Sequence, residues 1–85
     1  MSVKVRISPA ALAELASLHE PVVSRVNRVM ARLADWPNVS GAKPLRDRLK
    51  GHYRVRAGDW RIVFTVVGDA VIVVRIANRR DVYED

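Results

Sequence analysis

Three arginines in the second half of the chain have the spacing of an anion-binding site. Arg54 and Arg56 alternate with apolar residues, and Arg61 follows Gly58-Asp59, a dipeptide typical of a two-residue hairpin loop. With that loop, Arg56 faces Arg61 across the two strands, and Arg54 lies two residues further along the same face. Like charges opposed across strands destabilise a sheet. These three residues, called here the arginine cluster, therefore favour a bound anion over a splayed set of solvated side chains.

The end of the chain adds groups that are suited to cutting RNA. Arg79, Arg80 and Tyr83 follow the last predicted strand, which antiparallel pairing would bring back beside the strand of Arg61. Guanidinium groups can bind a scissile phosphate and its extra transition-state charge, and a phenol can orient or move protons. RNA supplies its own nucleophile, the 2′-hydroxyl group. The residue types therefore suit phosphodiester cleavage.

The sequence predicts neither a metal site nor a cofactor site. Cysteine is absent, His19 and His52 are isolated, and no carboxylate cluster has ligand spacing. His52 is expected to be a solvated turn residue and not a general base. No phosphate-binding glycine loop, dinucleotide fingerprint or catalytic serine triad is present.

The charge of the chain points to polyanions. Lys and Arg number 15 against 9 Asp and Glu, which gives a net charge of +6, and only three of the cations are lysine. Guanidinium groups suit phosphate oxygens, although a basic soluble domain without a nucleic-acid partner has the same composition. The chain lacks cysteine, a signal-peptide pattern and an apolar run of roughly 18 residues, so we expect a cytoplasmic protein.

The elements that position these residues fit one α+β domain, residues 1–85, because a chain of this length has room for a single core. Alternation predicts a first strand that ends at Ile7. Ser8 is a good helix N-cap, Pro9 a good first helical residue, and Pro21 starts a second helix. The apolar stripes of the two helices are Leu12, Leu15, Ala16 and Leu18, and then Val22, Val26, Val29, Met30 and Leu33.

Strand patterns follow from residue 52 onward. Period-two alternation predicts strands on both sides of Gly58-Asp59, and Gly68-Asp69 marks another tight turn. Residues 71–76 are nearly all Val and Ile, which is typical of a strand covered on both faces. The predicted order is β-α-α-β-β-β: a helical hairpin packed on an antiparallel three-stranded meander, which the first strand joins at one edge.

The two tryptophans are expected to serve packing. Trp60 shares its parity with Ile62 and Phe64, so it is predicted to lie in the core and not to stack on a base. Trp36 is predicted to plug the end of the second helix. The tail, residues 78–85, has room for one helical turn.

Further basic residues surround the predicted sheet. Three arginines form a stripe on the second helix, which either faces solvent or faces RNA. The polar connection at residues 38–50 is also basic, and Leu45 and Leu49 are expected to anchor it to the core. The residues predicted to bind RNA are Arg25, Arg28, Arg32, Lys43, Arg46, Lys50 and Arg80.

Three segments of the chain resemble the RelE/ParE superfamily of toxins, and in particular its RelE-like branch. They are KPLR at residues 43–46, LKGHYRVRAGDWRIVF at 49–64 and VVRIANRRDVY at 73–83. The resemblance covers nearly the whole chain and implies the RelE-like α+β fold. It also implies cleavage of ribosome-bound messenger RNA by 2′-hydroxyl attack without a metal, and an antitoxin encoded beside the toxin.

The resemblance implies roles for five candidate catalytic residues. Arg54 and Arg56 match the two basic residues that the family has on the first hairpin strand. Arg61 matches the family's arginine that binds the phosphate. Arg79, or its neighbour in sequence, matches the arginine that assists the leaving oxygen, and Tyr83 the tyrosine that orients the nucleotide. Relatives often have lysine where Arg54 and Arg56 stand. Because a guanidinium keeps its proton, Tyr83 would act as the base, or the site would only stabilise the developing alkoxide.

Two other functions remain compatible with the sequence. A ParE-like toxin would share the fold and inhibit DNA gyrase by binding it, without nuclease activity. A non-catalytic nucleic-acid-binding module would use the same arginines for phosphate contacts alone. The presence of Arg61, Arg79 and Tyr83 together favours cleavage.

The expected partners are a cognate antitoxin, the ribosome and messenger RNA, with operator DNA reached only through the antitoxin and no membrane partner. An antitoxin is also expected on physical grounds, because the sheet face away from the helices is expected to expose apolar surface that a partner would cover. The residues expected on that surface are Val63, Val67, Ile72, Val74 and Ile76.

Overall fold

A computed structural model describes residues 3–80 as two helices packed on one face of a five-stranded sheet. Within these residues no helix is long and apolar enough to cross a membrane. The strands are β1 (Lys4–Ile7), β2 (Lys43–Pro44), β3 (His52–Ala57), β4 (Trp60–Val67) and β5 (Ala70–Asn78). The helices are α1 (Pro9–Ala16) and α2 (Val22–Arg32), and single 3-10 turns follow at Leu33–Asp35 and Asp47–Leu49.

The sheet has the strand order β1-β5-β4-β3-β2. Strands β3, β4 and β5 form the predicted antiparallel meander, and β1 joins it at one edge, so both expectations are confirmed. Because β1 runs parallel to β5, the sheet as a whole is mixed. The two-residue strand β2 was not predicted, and it forms the opposite edge by antiparallel pairing with β3.

Local signals set the helix starts. The hydroxyl oxygen of Ser8 accepts a hydrogen bond from the Ala11 N–H at 3.1 Å, so Ser8 caps α1 as predicted, with Pro9 as its first residue. At the start of α2, a carboxylate oxygen of Glu20 accepts hydrogen bonds from the Ser24 hydroxyl at 2.6 Å and from its N–H at 3.3 Å. These bonds hold the chain reversal between the two helices.

The main core lies between the helices and the sheet. α1 packs on β5 and α2 packs on β3 and β4. Phe64 is fully buried, and its ring lies 5.4 Å from that of Trp36 and 5.6 Å from that of Tyr53. Trp36 therefore closes the end of α2 against the sheet, as expected, and Trp60 is partly buried against the same core.

A β-bulge in β5 reverses the faces of its later residues. Phe64 pairs with Val73 and Val63 pairs with Arg75, so Val74 is an extra residue in β5. As a result Ile76 points into the main core and is 1 % exposed. The prediction that Ile76 lies on the outer sheet face was wrong, because simple alternation does not reveal an inserted residue.

The outer sheet face, away from the helices, is largely covered by the chain itself. Leu45 and Leu49 fold over it and pack with Val63, Val74 and Ala77 in a second, smaller cluster. The prediction that Val63 would be exposed was therefore wrong, since only 4 % of it is accessible. Of the apolar residues expected on this surface, Ile72 is half-buried and Val67 remains 59 % exposed.

Candidate nucleic-acid interface

The arginine cluster lies on the outer face of β3 and β4. Ala57 pairs with Trp60 and Arg56 pairs with Arg61, so the register predicted from the Gly58-Asp59 loop is confirmed. The alternate residues of β3, Val55 and Ala57, are buried in the main core. Strand alternation therefore directs the arginines of β3 to the opposite face.

Arg61 differs from its neighbours in burial. It is 5 % exposed and is the only charged residue that is buried within residues 3–80, whereas Arg56 opposite it is exposed. On its other side Arg61 pairs with Ala77 of β5, a member of the small outer cluster. Because Arg61 is almost completely buried, little of its side-chain freedom remains to be lost when an anion binds.

A second opposed pair of cations lies on the same face. Lys43 of β2 pairs with Arg54 of β3, two residues along β3 from the pair formed by Arg56 and Arg61. Four cations thus form a diagonal across three neighbouring strands. We call this set, Lys43, Arg54, Arg56 and Arg61, the cationic diagonal.

The end of β5 reaches the β3–β4 turn, as the antiparallel pairing predicts. The Arg79 N–H donates to the carbonyl oxygen of Asp59 at 2.8 Å. Arg79 is the first residue after β5, and its side chain is exposed. The Arg80 N–H donates to the side-chain oxygen of Asn78 at 3.2 Å. Arg79 is therefore the better placed of the two arginines to join the cluster.

Tyr83, the fifth candidate catalytic residue, lies outside the described residues.

The other predicted RNA-binding residues are spread over several surfaces. Arg25 approaches the β3–β4 turn, where its Nη1 lies 4.0 Å from the position that a Cβ on Gly58 would take. Arg32 donates from Nη2 to the Ser40 carbonyl oxygen at 2.6 Å. The residues Arg28, Arg46 and Lys50 are exposed. The structure therefore brings Arg25 and Arg32 to opposite ends of the cationic diagonal, and it shows no such approach for the remaining three.

A cavity of about 200 Å³ opens beside the cationic diagonal. It is lined by Arg32, Ser40, Gly41, Lys43, Arg54, Val55 and Arg56. Sequence reasoning had not selected Ser40 and Gly41, although a small polar residue followed by glycine between two basic segments was a usable signal. Gly41 has a φ of +85°, a left-handed conformation that glycine adopts most readily.

The structure places the two histidines outside the lining of the cavity beside the cationic diagonal, and His19 is exposed. His52 is the first residue of β3 and is half-buried, so its prediction as a solvated turn residue was wrong. It differs from that prediction because β3 begins one residue earlier than the alternation pattern indicates. Across the part of the chain that the structure describes, no three His, Cys, Asp or Glu residues come together in a group that could hold a metal ion.

Comparisons with solved structures identify the fold. The toxin–antitoxin complex RelBE2 from Mycobacterium tuberculosis contains a chain that is 24 % identical, with a TM-score of 0.81 over 93 % of this chain and 100 % of that one. A chain of the archaeal RelE–RelB complex from Pyrococcus horikoshii is 20 % identical, with a TM-score of 0.72 over 96 % and 100 % of the two chains. The isolated RelE toxin from E. coli is 16 % identical, with a TM-score of 0.74 over 91 % and 84 %. The fold is therefore that of RelE-like toxins.

The sequence itself establishes the family. Residues 5–83 match the family model described as ParE toxin of type II toxin–antitoxin system, parDE. The chain therefore belongs to the RelE/ParE superfamily of type II toxins, as its motifs had indicated. A search of curated proteins gave no match.

Proposed function

We propose that the protein is a ribosome-dependent endoribonuclease that cuts messenger RNA by metal-free attack of a 2′-hydroxyl group. The observation that carries the proposal is the buried Arg61, held directly opposite Arg56 in a cluster of like charge. Guanidinium groups gathered on one sheet face suit the oxygen atoms of a phosphate chain. A cytoplasmic location belongs to the proposal, because ribosomes translate messages there.

In the proposed reaction, the 2′-oxygen bonds to the adjacent phosphorus and the bond from phosphorus to the 5′-oxygen breaks. Arg61 binds the non-bridging oxygens and stabilises the charge that they gain in the transition state. Arg54 and Arg56 hold the phosphate in line, and Arg79 donates a hydrogen bond to the leaving oxygen. Because guanidinium groups keep their protons, Tyr83 or solvent accepts the proton of the 2′-hydroxyl, and solvent supplies the proton that the departing 5′-oxygen takes up.

Primer extension on a reporter message in a translation extract tests this proposal. The wild-type protein is expected to produce new breaks within translated codons, and Arg61→Ala is expected to abolish them. Lys4→Ala is the matched control, since it removes an exposed charge from β1 at the far edge of the sheet. Intact message with the wild-type protein, or unchanged cleavage by Arg61→Ala, would contradict the proposal.

The second candidate function is inhibition of DNA gyrase without nuclease activity. The observation in its favour is the match of residues 5–83 to the ParE toxin family. A supercoiling assay with purified gyrase separates the two functions. Loss of supercoiling together with intact message would select gyrase inhibition, whereas cleavage with normal supercoiling would select the ribonuclease.

The partner that we propose for the free toxin is a cognate antitoxin. The RelBE2 and archaeal RelE–RelB structures are complexes, which is consistent with such a partner. On this chain, the suitable surface lies along β1 and not on the outer sheet face, where the chain covers its own apolar residues. An apolar groove of about 400 Å³ lies between β1 and the helices. It is lined by Val5, Arg6, Ile7, Leu15, Asn27, Met30, Ala31, Ala34 and Val73.

The edge of β1 can pair with an added strand, since its described neighbour in the sheet is β5 alone. Arg6, exposed at this groove, suits an acidic residue on the partner. Co-purification with the neighbouring gene product tests the assignment. Ala31→Glu, a charge placed in the groove, is expected to weaken the complex, whereas Ala13→Glu on an exposed position of α1 is not. Equal effects of the two variants would refute this surface.

A further inference from the structure

The cavity beside the cationic diagonal is built differently from the surroundings of Arg61. Arg32 reaches it from the end of α2, Lys43 from β2, and Arg54 and Arg56 from β3. The four basic residues that line it therefore come from three elements that are distant in sequence. None of the described residues that line it is acidic.

The lining also limits the freedom of these groups. The bond from Arg32 Nη2 to the Ser40 carbonyl oxygen fixes the guanidinium against the segment before β2. A guanidinium has five N–H donors, so this bond uses only part of its capacity. The backbone of Lys43 is set opposite Arg54 by the pairing of β2 with β3. Gly41 also lines the cavity, and a Cβ there would meet no atom within 4 Å.

The end of the cavity at Lys43 is offset along β3 from the arginine pair of the proposed cleavage site. The pair formed by Lys43 and Arg54 and the pair formed by Arg56 and Arg61 are two residues apart along β3. Strands rise about 3.3 Å per residue, so the two pairs are separated by roughly 7 Å. That separation is of the order of one nucleotide repeat in an extended single strand.

We propose that the end of the cavity at Arg32 and Lys43 is a second phosphate subsite, which binds the phosphate of a nucleotide next to the one at which the strand is cut. The inference rests on the proposed RNA substrate, and it assigns Arg32 and Lys43 a separate task from Arg61. Two fixed phosphates define the direction and the register of the strand on the sheet. The scissile phosphate is thereby brought to Arg61 in one orientation, which is what in-line attack requires.

The subsite can be tested by removing the charge of one phosphate linkage of the RNA at a time. The probe is a short, fluorescein-labelled 2′-O-methyl oligonucleotide, which lacks the nucleophile and cannot be cut. A series of such probes carries one neutral methylphosphonate linkage each, moved along the strand. Fluorescence anisotropy at low salt is expected to show that two neighbouring linkages matter for the affinity of the wild-type protein.

The variants then assign each linkage to a site. Lys43→Ala and Arg32→Ala are expected to become insensitive to one linkage while keeping their sensitivity to the other, and Arg61→Ala should show the converse. Each lost phosphate contact should lower the slope of log affinity against log salt by about 0.7. Lys4→Ala, which removes a charge at the far edge of the sheet, should retain both sensitivities.

Two results would overturn the subsite. One is an equal loss of affinity for all probes in Lys43→Ala and Arg32→Ala, which would mean that these cations act as diffuse charge. The other is a wild-type protein that is sensitive to one linkage only. Because the probes cannot be cut, this outcome is independent of the primer-extension result, so failure of the subsite and failure of the nuclease proposal are distinguishable.

Discussion

Arg56 and Arg61 stand directly opposite each other on β3 and β4, one exposed and the other almost completely buried. Charges of like sign on opposed residues of neighbouring strands destabilise a sheet. Their proximity becomes favourable when a phosphate lies between them, since each then forms a charge-assisted hydrogen bond. The pair is therefore expected to reduce stability and to support RNA binding at the same time.

The first prediction concerns the cost of that repulsion. Arg56→Gln should raise the free energy of unfolding by about 0.2–1 kcal/mol at low salt, because it removes one member of an opposed like-charge pair. At about 1 M salt the gain should vanish through screening. Urea denaturation at several salt concentrations measures both effects, with Lys4→Gln as a control on exposed charge. A gain that does not depend on salt would show that repulsion is not its cause.

The second prediction concerns Glu14 and the bulged part of β5. One carboxylate oxygen of Glu14 accepts a hydrogen bond from the Ile76 N–H at 2.7 Å, and the other accepts a hydrogen bond from Arg75 Nε at 3.2 Å. β1 ends at Ile7, which pairs with Val73, so β1 does not extend as far as Ile76. Glu14 therefore accepts the hydrogen bond that a neighbouring strand would otherwise accept from the Ile76 N–H. Glu14→Ala leaves this N–H without its partner and should cost about 1–3 kcal/mol of unfolding free energy.

Glu14→Gln is the matched control for that loss. The amide oxygen can still accept the Ile76 N–H, so most of the stability should return, although the ion pair with Arg75 is lost. Amide hydrogen exchange at Ile76 should accelerate in Glu14→Ala and not in Glu14→Gln. Equal stability of the two variants would contradict the assigned role of the backbone hydrogen bond.

The third prediction concerns the aromatic centre of the main core. Phe64 is 0 % exposed and contacts both Trp36 and Tyr53, so its truncation opens a cavity. Phe64→Ala should cost about 3–5 kcal/mol of unfolding free energy. Leu12→Ala, at a position that is 52 % exposed, should change it by no more than about 0.5 kcal/mol. Chemical denaturation of both variants measures the difference, and similar losses would argue against the described core.

The fourth prediction separates cleavage from binding through Tyr83. Tyr83→Phe removes only the phenolic hydroxyl group, so a nuclease that uses this group in proton transfer should lose about 10²–10⁴-fold in rate. A gyrase inhibitor or a phosphate-binding module should hardly change. Single-turnover cleavage on programmed ribosomes and gyrase supercoiling, measured on the same preparations, report the two activities. Full cleavage activity in Tyr83→Phe would remove the hydroxyl group from the mechanism.

Much of the fold could be predicted because its signals are local. Ser8 followed by Pro9 set the start of α1, and the Gly58-Asp59 loop set the register of β3 against β4. A two-residue loop leaves one pairing for the residues beside it, so the opposition of Arg56 and Arg61 followed from the sequence. The motif spacing also sufficed to indicate the superfamily, which the family match then established.

The tertiary structure decided the features that depend on contacts between distant segments. The apolar residues along β5 do not show from their sequence whether the strand contains an extra residue. Only the pairing with β4 and the hydrogen bond from Ile76 to Glu14 reveal the bulge at Val74. That bulge turns Ile76 inward and places Ala77 beside Arg61 on the outer face. The cavity likewise joins Arg32 of α2 to the cations of β2 and β3, because packing, and not sequence spacing, sets the distance between them.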